Sequence, residues 1–371
     1  METLDAPANW EILPFELAAS RITARTGKIK AGDYQQIGAT PVIDQGKDDL
    51  AGYTDNSEAE IRSPLPLIVF GDHTRNIKFV DFPFAVGADG VVLLRPDPML
   101  NPKYFYYWMK SLQLFNLGYS RHFKLLQDQQ IAFPADAEEQ YLIVKRIEAQ
   151  TSRVEAIRKA QQELADEMRG VLAGYYAEIT ADADWKPLGA VAPQMRRPVT
   201  VQAGQCYPEL GIRSFGKGTF HKPAISAEQL GSKRLYHIHP GDLIFNNVFA
   251  WEGAVAVVRP EDAGRVGSHR FITCVPKPRV ATTPFLYFHF TTEQGLHDLG
   301  DASPGGAGRN RTLGLKNLAA IKVPVPDYDK QLVCARLWEK TQEMRRLQDG
   351  LAADLNAYVP ALLAKAFRGE L

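Results

Sequence analysis

The 371-residue sequence holds only three cysteines, Cys206, Cys274 and Cys334. They are far apart and none sits in a C-x-x-C pair, so neither a disulfide framework nor a zinc knuckle is expected, and the thiols read as ordinary buried side chains. Long apolar runs are also missing. Nothing approaches the roughly 18 uncharged residues of a membrane span. The N-terminus, with Glu2 and Asp5, lacks the basic-then-apolar layout of a signal peptide, so a cytoplasmic protein is expected. An excess of charge of either sign is absent too, with 43 basic residues against 43 acidic ones. A zero balance argues mildly against a nucleic-acid partner. Locally the picture differs: residues 303–322 carry Arg309, Arg311, Lys316 and Lys322 with no acid, while residues 138–178 hold eight acids and six bases.

Catalytic signatures are equally scarce. The amino-methyltransferase pattern, Asp or Asn followed by Pro-Pro-Tyr or Phe, does not occur, and Asn101-Pro102-Lys103-Tyr104 lacks its second proline. No glycine-rich cofactor loop follows a strand in an α/β unit. Gly211 to Lys217 matches most of a phosphate-binding loop, but Gly218 stands where a Ser or Thr would hold magnesium. The segment continues as Thr219-Phe220-His221-Lys222, which suits a strand or loop better than a phosphate-binding helix. Gly71-Asp72-His73-Thr74-Arg75 pairs Asp with His, but no third ligand stands at a metal-like spacing, and such pairs in polar turns are usually structural. His237 and His239 alternate along an expected strand without an acidic or cysteine companion. The chain is therefore expected to be no enzyme and to hold no metal or cofactor.

What is present is a duplication. A shift of 190 residues aligns Gly118 with Gly308, Arg121 with Arg311, Leu125 with Leu315, Ile131 with Ile321, Pro134 with Pro324 and Arg146 with Arg336. Upstream the shift shrinks to 182, matching Pro102 with Pro284, Phe105 with Tyr287 and Trp108 with Phe290, and then to 180 for Gly87 with Gly267 and Pro96 with Pro276. Each copy opens on an Asn-Trp or Asp-Trp pair, at Trp10 and Trp185, before a short apolar run.

Each copy ends in a heptad stripe. In the first, Ile147, Val154, Gln161 and Met168 recur every seven residues, with Ile143, Ile157, Leu164 and Val171 beside them. In the second, Leu337, Met344, Leu351 and Tyr358 recur, with Val333 and Leu347. Asp136 and Glu139 form a capping-box pattern at the first helix start. Gly170 and Pro360 sit at matching places, where either residue weakens or kinks a helix. One such stripe could be a core helix. Two in register can cover each other, and roughly 35 helical residues would extend about 50 Å, close to 15 base pairs of duplex.

The first part of each copy reads as short strands, among them Leu67–Phe70, Val91–Leu94, Leu243–Phe245 and 254–258, set between Gly, Pro, Asp and Asn. The aromatic stretches 104–108 and 285–290 suit short amphipathic helices, with core packing favoured over base stacking. The expected fold is α+β: two β-rich domains (1–134 and 181–326) alternating with two long helices (135–180 and 327–371) that pack on each other as an intramolecular coiled coil. Three segments could meet DNA. The first is the turn with His73, Thr74, Arg75 and Lys78. The second is the glycine-rich loop with Arg213, Lys217 and Lys222, which could equally be an exposed hairpin. The third is residues 304–311 with Arg309 and Arg311, followed by Lys316 and matched in the first copy by Arg121 and Lys124; its alternative is a flexible linker.

Several of these stretches, in this duplicated order, resemble the specificity subunits of type I restriction-modification systems: residues 64–89, residues 210–252, the proline-ended strands at 131–134 and 321–326, the Glu139-Gln140 helix start and the tail 362–371. The resemblance spans essentially the whole chain. It implies two target-recognition domains, each binding half of a bipartite double-stranded DNA site, and antiparallel helices acting as ruler and docking surface for two methyltransferase subunits, with restriction subunits joining. Asp329-Lys330 in place of Glu139-Gln140, and Asp354 on the seam, depart from the pattern. Two other readings stand beside it: a coiled-coil adaptor for protein partners, and a defence-associated DNA binder acting without a methyltransferase.

Overall fold

The computed structural model describes residues 6–24, 26–115, 118, 120–231, 233–305 and 311–371. The chain forms two units, residues 1–160 with 350–371 and residues 161–349. Each unit therefore contains one β-rich domain and a stretch of both long helices, Ala137–Thr180 and Tyr328–Ala366.

In the first unit Trp10–Pro14 pairs antiparallel with Gln130–Pro134, closing the domain at its two ends. Between them lie two sheets. One has the order Ala19–Ile22, Val91–Pro96, Leu67–Gly71, Ile77–Val80; the other joins Gly52–Thr54 to Thr40–Ile43 and, in parallel, Ala85–Val86. Leu67–Gly71 is buried throughout, as an all-apolar central strand covered on both faces must be. The second unit repeats this plan. Asp184–Pro187 pairs with Lys322–Val325, Leu243–Asn246 lies between Val255–Val257 and Phe271–Cys274, and Cys206–Ile212 joins the hairpin partner Thr219–Ser226 and, in parallel, Val266–Ser268. The expected pairing of Trp10 with Trp185 as domain openings is met: Trp10 faces Pro134 and Trp185 faces Pro324.

The aromatic stretches are helices, Pro102–Ser111 and Thr283–Thr291, and their rings fill the cores. Their true register is one residue off the 182 shift. Asn101 and Thr282 are the N-caps, and the buried pairs Tyr104-Phe105 and Trp108-Met109 answer Phe285-Leu286 and His289-Phe290, a shift of 181. His289 therefore occupies the place of Trp108.

The long helices show the same one-residue correction. Gln140 is fully buried; its Oε1 accepts from Asn101 N at 2.7 Å, and its Nε2 donates to the carbonyls of Met99 and Pro134 at 3.0 and 2.9 Å. Gln331 does the same in the second unit, accepting from Thr282 N at 3.0 Å and donating to Val280 and Pro326 at 3.0 and 2.8 Å. The equivalent of Gln140 is thus Gln331, a shift of 191, and the helix starts do not differ as Asp329-Lys330 suggested. An extra residue between the proline-ended strand and the helix absorbs the step.

Within the first unit the two helices run antiparallel: Gln150 Oε1 accepts from Tyr358 OH at 3.2 Å and Arg158 bonds Asn356 at 2.8 Å. Within the second, Gln348 donates to the Gln161 carbonyl at 2.9 Å, and Tyr175 reaches the Lys330 carbonyl. The seam is narrower than the heptads suggested. Ile147 and Val154 are buried, and Met168, Leu337 and Met344 are half-buried, but Ile157, Leu164, Leu351 and, at 64%, Leu347 are exposed. The one-residue shift accounts for part of this: Cys334 and Ala335, not Val333, are the buried residues near the second helix start. Asp354 is likewise exposed, and Leu355 beside it is buried. Helix continues through both Gly170 and Pro360. Asp136 accepts from Glu138 N at 3.0 Å as expected of a cap, whereas the Glu139 carboxylate accepts from the Trp10 indole at 3.4 Å. Cys206 is exposed, contrary to expectation, while Cys274 and Cys334 are buried.

Candidate nucleic-acid interface

In the first unit the turn between Leu67–Gly71 and Ile77–Val80 is stitched to two other segments. Asp72 does not face His73 as an acid–base partner. Its carboxylate accepts from Phe123 N at 2.8 Å, and its carbonyl accepts from His122 N at 2.8 Å. Gln45, from the loop after Thr40–Ile43, holds the other side: its Oε1 accepts from His73 N, and its carbonyl accepts from Thr74 Oγ1 at 2.6 Å and Asn76 Nδ2 at 2.9 Å. Arg75 has a left-handed backbone (φ 64°) and donates to the Leu114 carbonyl at 2.8 Å.

These contacts sort the expected residues. Thr74, Arg121 and Lys124 are exposed, and the Arg121 guanidinium is 4.0 Å from Asp72. Lys78 is not available at a surface. It is 6% exposed, its ammonium donates to the Asp48 carbonyl, and it lies 3.6 Å from Asp44. Strand alternation explains this, because Lys78 shares the inward face with Val80. It braces the 44–50 loop from beneath.

The second unit builds the corresponding turn from Asn247 to Gly253, between Leu243–Asn246 and Val255–Val257. Asn247 takes the place of Asp72: its carbonyl accepts from Leu313 N at 2.7 Å, tying the turn to the arginine-bearing segment. Arg311 lies over the Trp251 ring at 5.4 Å. Arg309 lies outside the described residues. Lys316 is exposed on the short helix Leu315–Ala320.

On the other side of this turn sits the glycine-rich loop, now seen as the tip of the hairpin Cys206–Ile212/Thr219–Ser226 rather than a loop leading into a helix. Nucleotide binding in phosphate-loop fashion needs that helix N-terminus, which this hairpin does not supply. The tip is fixed. Phe215 N donates to the Glu252 carbonyl at 2.8 Å, Gly216 N to the Gly253 carbonyl at 3.0 Å, Ser214 Oγ to Glu252 at 3.0 Å, and Tyr287 OH to the Gly216 carbonyl at 2.8 Å. Arg213 is exposed with its guanidinium 5.0 Å from the Phe220 centroid, and the half-buried Lys222 has its ammonium 6.0 Å from the same ring. Lys217 is exposed beside Phe215.

Beneath the hairpin, fully buried Asp262 accepts from Thr219 Oγ1 at 2.7 Å, His221 Nε2 at 3.0 Å and Arg259 N at 3.0 Å. Burial alone would raise its pKa, but the Arg259 guanidinium, 3.2 Å away, together with these donors outweighs burial and holds the carboxyl below the usual range. The expected His237 and His239 pair does not share a strand face, because the strand ends at His237. Among the described residues no group of three or more His, Cys, Asp or Glu could hold a metal, and no helix is long and apolar enough to cross a membrane.

Sequence reasoning missed Gln45, Phe215 and Trp251, along with the equivalence of the loop 44–50 to the loop 213–218. Only the shared parallel pairing, Val42 with Ala85 and Glu209 with Val266, exposes that last relation.

No family model matches the sequence. A stretch of 87 residues, 23% of this chain and 22% of the relative, is 33% identical to the type I restriction enzyme EcoR124I/EcoR124II specificity subunit of Escherichia coli. The chain thus matches under a quarter of that relative's length. Among solved structures, the fold is similar over 99% of both chains to a chain from a structure of the assembly and conformational transition of the type I R-M system (TM-score 0.59, 15% identity). It is also similar to the type I restriction-modification S subunit of M. genitalium (TM-score 0.53, 18% identity, 98% of this chain and 99% of that one). A third is the HsdS subunit of Thermoanaerobacter tengcongensis (TM-score 0.50, 18% identity, 99% and 98%). The α+β fold with two β-rich domains and two long helices is therefore the fold of these specificity subunits.

Proposed function

We propose that this chain is the DNA-sequence specificity subunit of a type I restriction-modification enzyme and carries no catalysis of its own. Residues 1–134 and 181–326 each bind one half of a bipartite duplex site. The helices 135–180 and 327–371 set the spacing and dock methyltransferase subunits, two in number, which restriction subunits join in the cytoplasm. The observation that carries this reading is the same cluster built twice on one topology: a turn after the central strand, clamped between a hairpin loop and a segment bearing arginine. Exposed Arg121, Lys124, Arg213, Lys217, Arg311 and Lys316 would position each domain on phosphates. Thr74, and His73 beside it, would meet base edges in the first unit.

Two recognition modules on one spacer multiply their selectivity, because the spacer fixes which separations both can reach at once. Co-expression with the methyltransferase and mapping of methylated DNA tests the reading. A split motif is expected, with one half lost when residues 309–311 are replaced. One helical turn inserted into the first long helix, with the matching turn in the second, should change the gap between the halves and leave both halves intact. An undivided motif, or duplex binding without salt dependence, would overturn the reading in favour of a protein adaptor.

A further inference from the structure

Phe215 is 73% exposed and has a left-handed backbone (φ 61°), a conformation that residues with a side chain, aromatic ones above all, seldom adopt. Folding gains little from a ring this exposed, and glycine would fit the turn with less strain. Yet the tip is held on both sides of the ring: the Phe215 and Gly216 amides bond the Glu252 and Gly253 carbonyls, Ser214 bonds Glu252, and Tyr287 bonds the Gly216 carbonyl. An outlier kept in place by its surroundings points to a use. Exposed Lys217 has its ammonium 5.8 Å from the ring, and exposed Arg213, its guanidinium donating to the Thr219 carbonyl at 3.0 Å, lies on the other side in sequence, with the Glu252 carboxylate bonded to Ser214 between them. The corresponding loop of the first unit, Asp44-Gln45-Gly46-Lys47-Asp48-Asp49-Leu50, has no aromatic residue.

We propose that Phe215 is a wedge that stacks into the DNA duplex, partly unstacking one base step of the half-site bound by the second unit, while Arg213 and Lys217 hold the adjoining phosphates. Apolar side chains inserted at a base step kink DNA most cheaply at flexible pyrimidine–purine steps, so the wedge selects for deformability at a position it need not hydrogen-bond. The inference rests on the DNA-specificity reading and names one determinant within it.

The test uses the full-length chain co-expressed with its methyltransferase, and duplexes selected from a random library. 2-Aminopurine is placed in turn at each step of a selected duplex. Wild-type protein is expected to raise its fluorescence at one step. Phe215→Ala should abolish that rise and weaken binding on the order of tenfold, leaving the salt dependence unchanged. Phe215→Leu, still apolar, should keep much of both signals, and circular dichroism should be unchanged in each variant. If wild type binds in a salt-dependent way but Phe215→Ala matches it in affinity and fluorescence, the wedge is overturned and the DNA reading stands. If wild type shows no salt-dependent duplex binding, both fall together.

Discussion

The loops 44–50 and 213–218 occupy the same place in the two units, each following a strand in parallel pairing and each clasping the turn after the central strand. Their chemistry is opposite. The first has Asp44, Asp48 and Asp49 against Lys47, with Lys78 buried beneath as a counter-charge; the second has Arg213 and Lys217 with no acid of its own, and Glu252 bonded to its Ser214 as the counter-charge. The clasp also differs. Side-chain hydroxyl and amide groups meet the Gln45 carbonyl in the first unit, while two backbone amides meet two backbone carbonyls in the second. A duplicated scaffold therefore keeps its backbone plan and lets the facing side chains diverge, as two domains addressing different half-sites would require.

The part of the plan that must not diverge is the buried glutamine. Gln140 and Gln331 each satisfy three backbone groups where helix, strand end and aromatic helix meet. Gln140→Ala and Gln331→Ala should each cost about 4 kcal/mol, since each leaves several buried polar groups unsatisfied. Hydrogen exchange resolved by peptide should show the loss confined to the unit that carries the change. Equal, local losses support the equivalence of the units; a loss in only one breaks it.

Acid should separate the units. His289 is buried, with its Nδ1 2.7 Å from Tyr176 OH, and burial pushes its pKa down to about 4. The unfolded chain takes up a proton near pH 6.5 that the folded unit refuses until about pH 4. Stability therefore falls as pH drops through that window and levels off below it, by about 3 kcal/mol in all. Trp108 holds the same place in the first unit and does not titrate. Exchange measured from pH 7 to pH 4 should loosen the second unit preferentially, and His289→Phe should remove the difference.

How much of this was legible in the sequence depends on what kind of signal each feature leaves. Helices and central strands are periodic over many residues, so the heptads and the run Leu67–Phe70 announced them. Register was legible only to within a residue, because matches of identity such as Pro102 with Pro284 compete with capping, and capping decides where a helix starts. Lys78 could have been recognised as inward-facing, since it alternates with Val80 in a four-residue strand. The kinship of the loops 44–50 and 213–218 left no signal, because they share no side-chain chemistry and only the parallel pairing of their strands reveals them. Phe215 looked like part of a glycine-rich loop; its exposure and backbone angle exist only in the folded chain.

Two lysines make a sharper comparison, one in each loop system. Lys78→Met should lower the stability of the first unit by about 3 kcal/mol, because it strands Asp44 and the Asp48 carbonyl, while the salt dependence of DNA binding stays as it was. Lys217→Ala should do the reverse, reducing the slope of log affinity against log salt by about one and leaving unfolding unchanged. If Lys78→Met reduces the slope as well, the first unit must open its loop on DNA and expose that ammonium.

The smallest effect expected comes from the acidic tip. Asp49 is exposed in the loop that corresponds to 213–218, whose cations are proposed to hold phosphates, so its charge would oppose approach of a phosphate backbone. Asp49→Asn should strengthen binding to unselected duplex about twofold at low salt, an effect that fades at high salt through screening. A carboxylate can also accept a hydrogen bond from the amino group of cytosine in the major groove. If Asp49 serves that purpose, the substitution would weaken binding to the selected site while still strengthening binding to unselected DNA. Measuring both duplexes at two salt concentrations separates a charge that merely repels from one that selects.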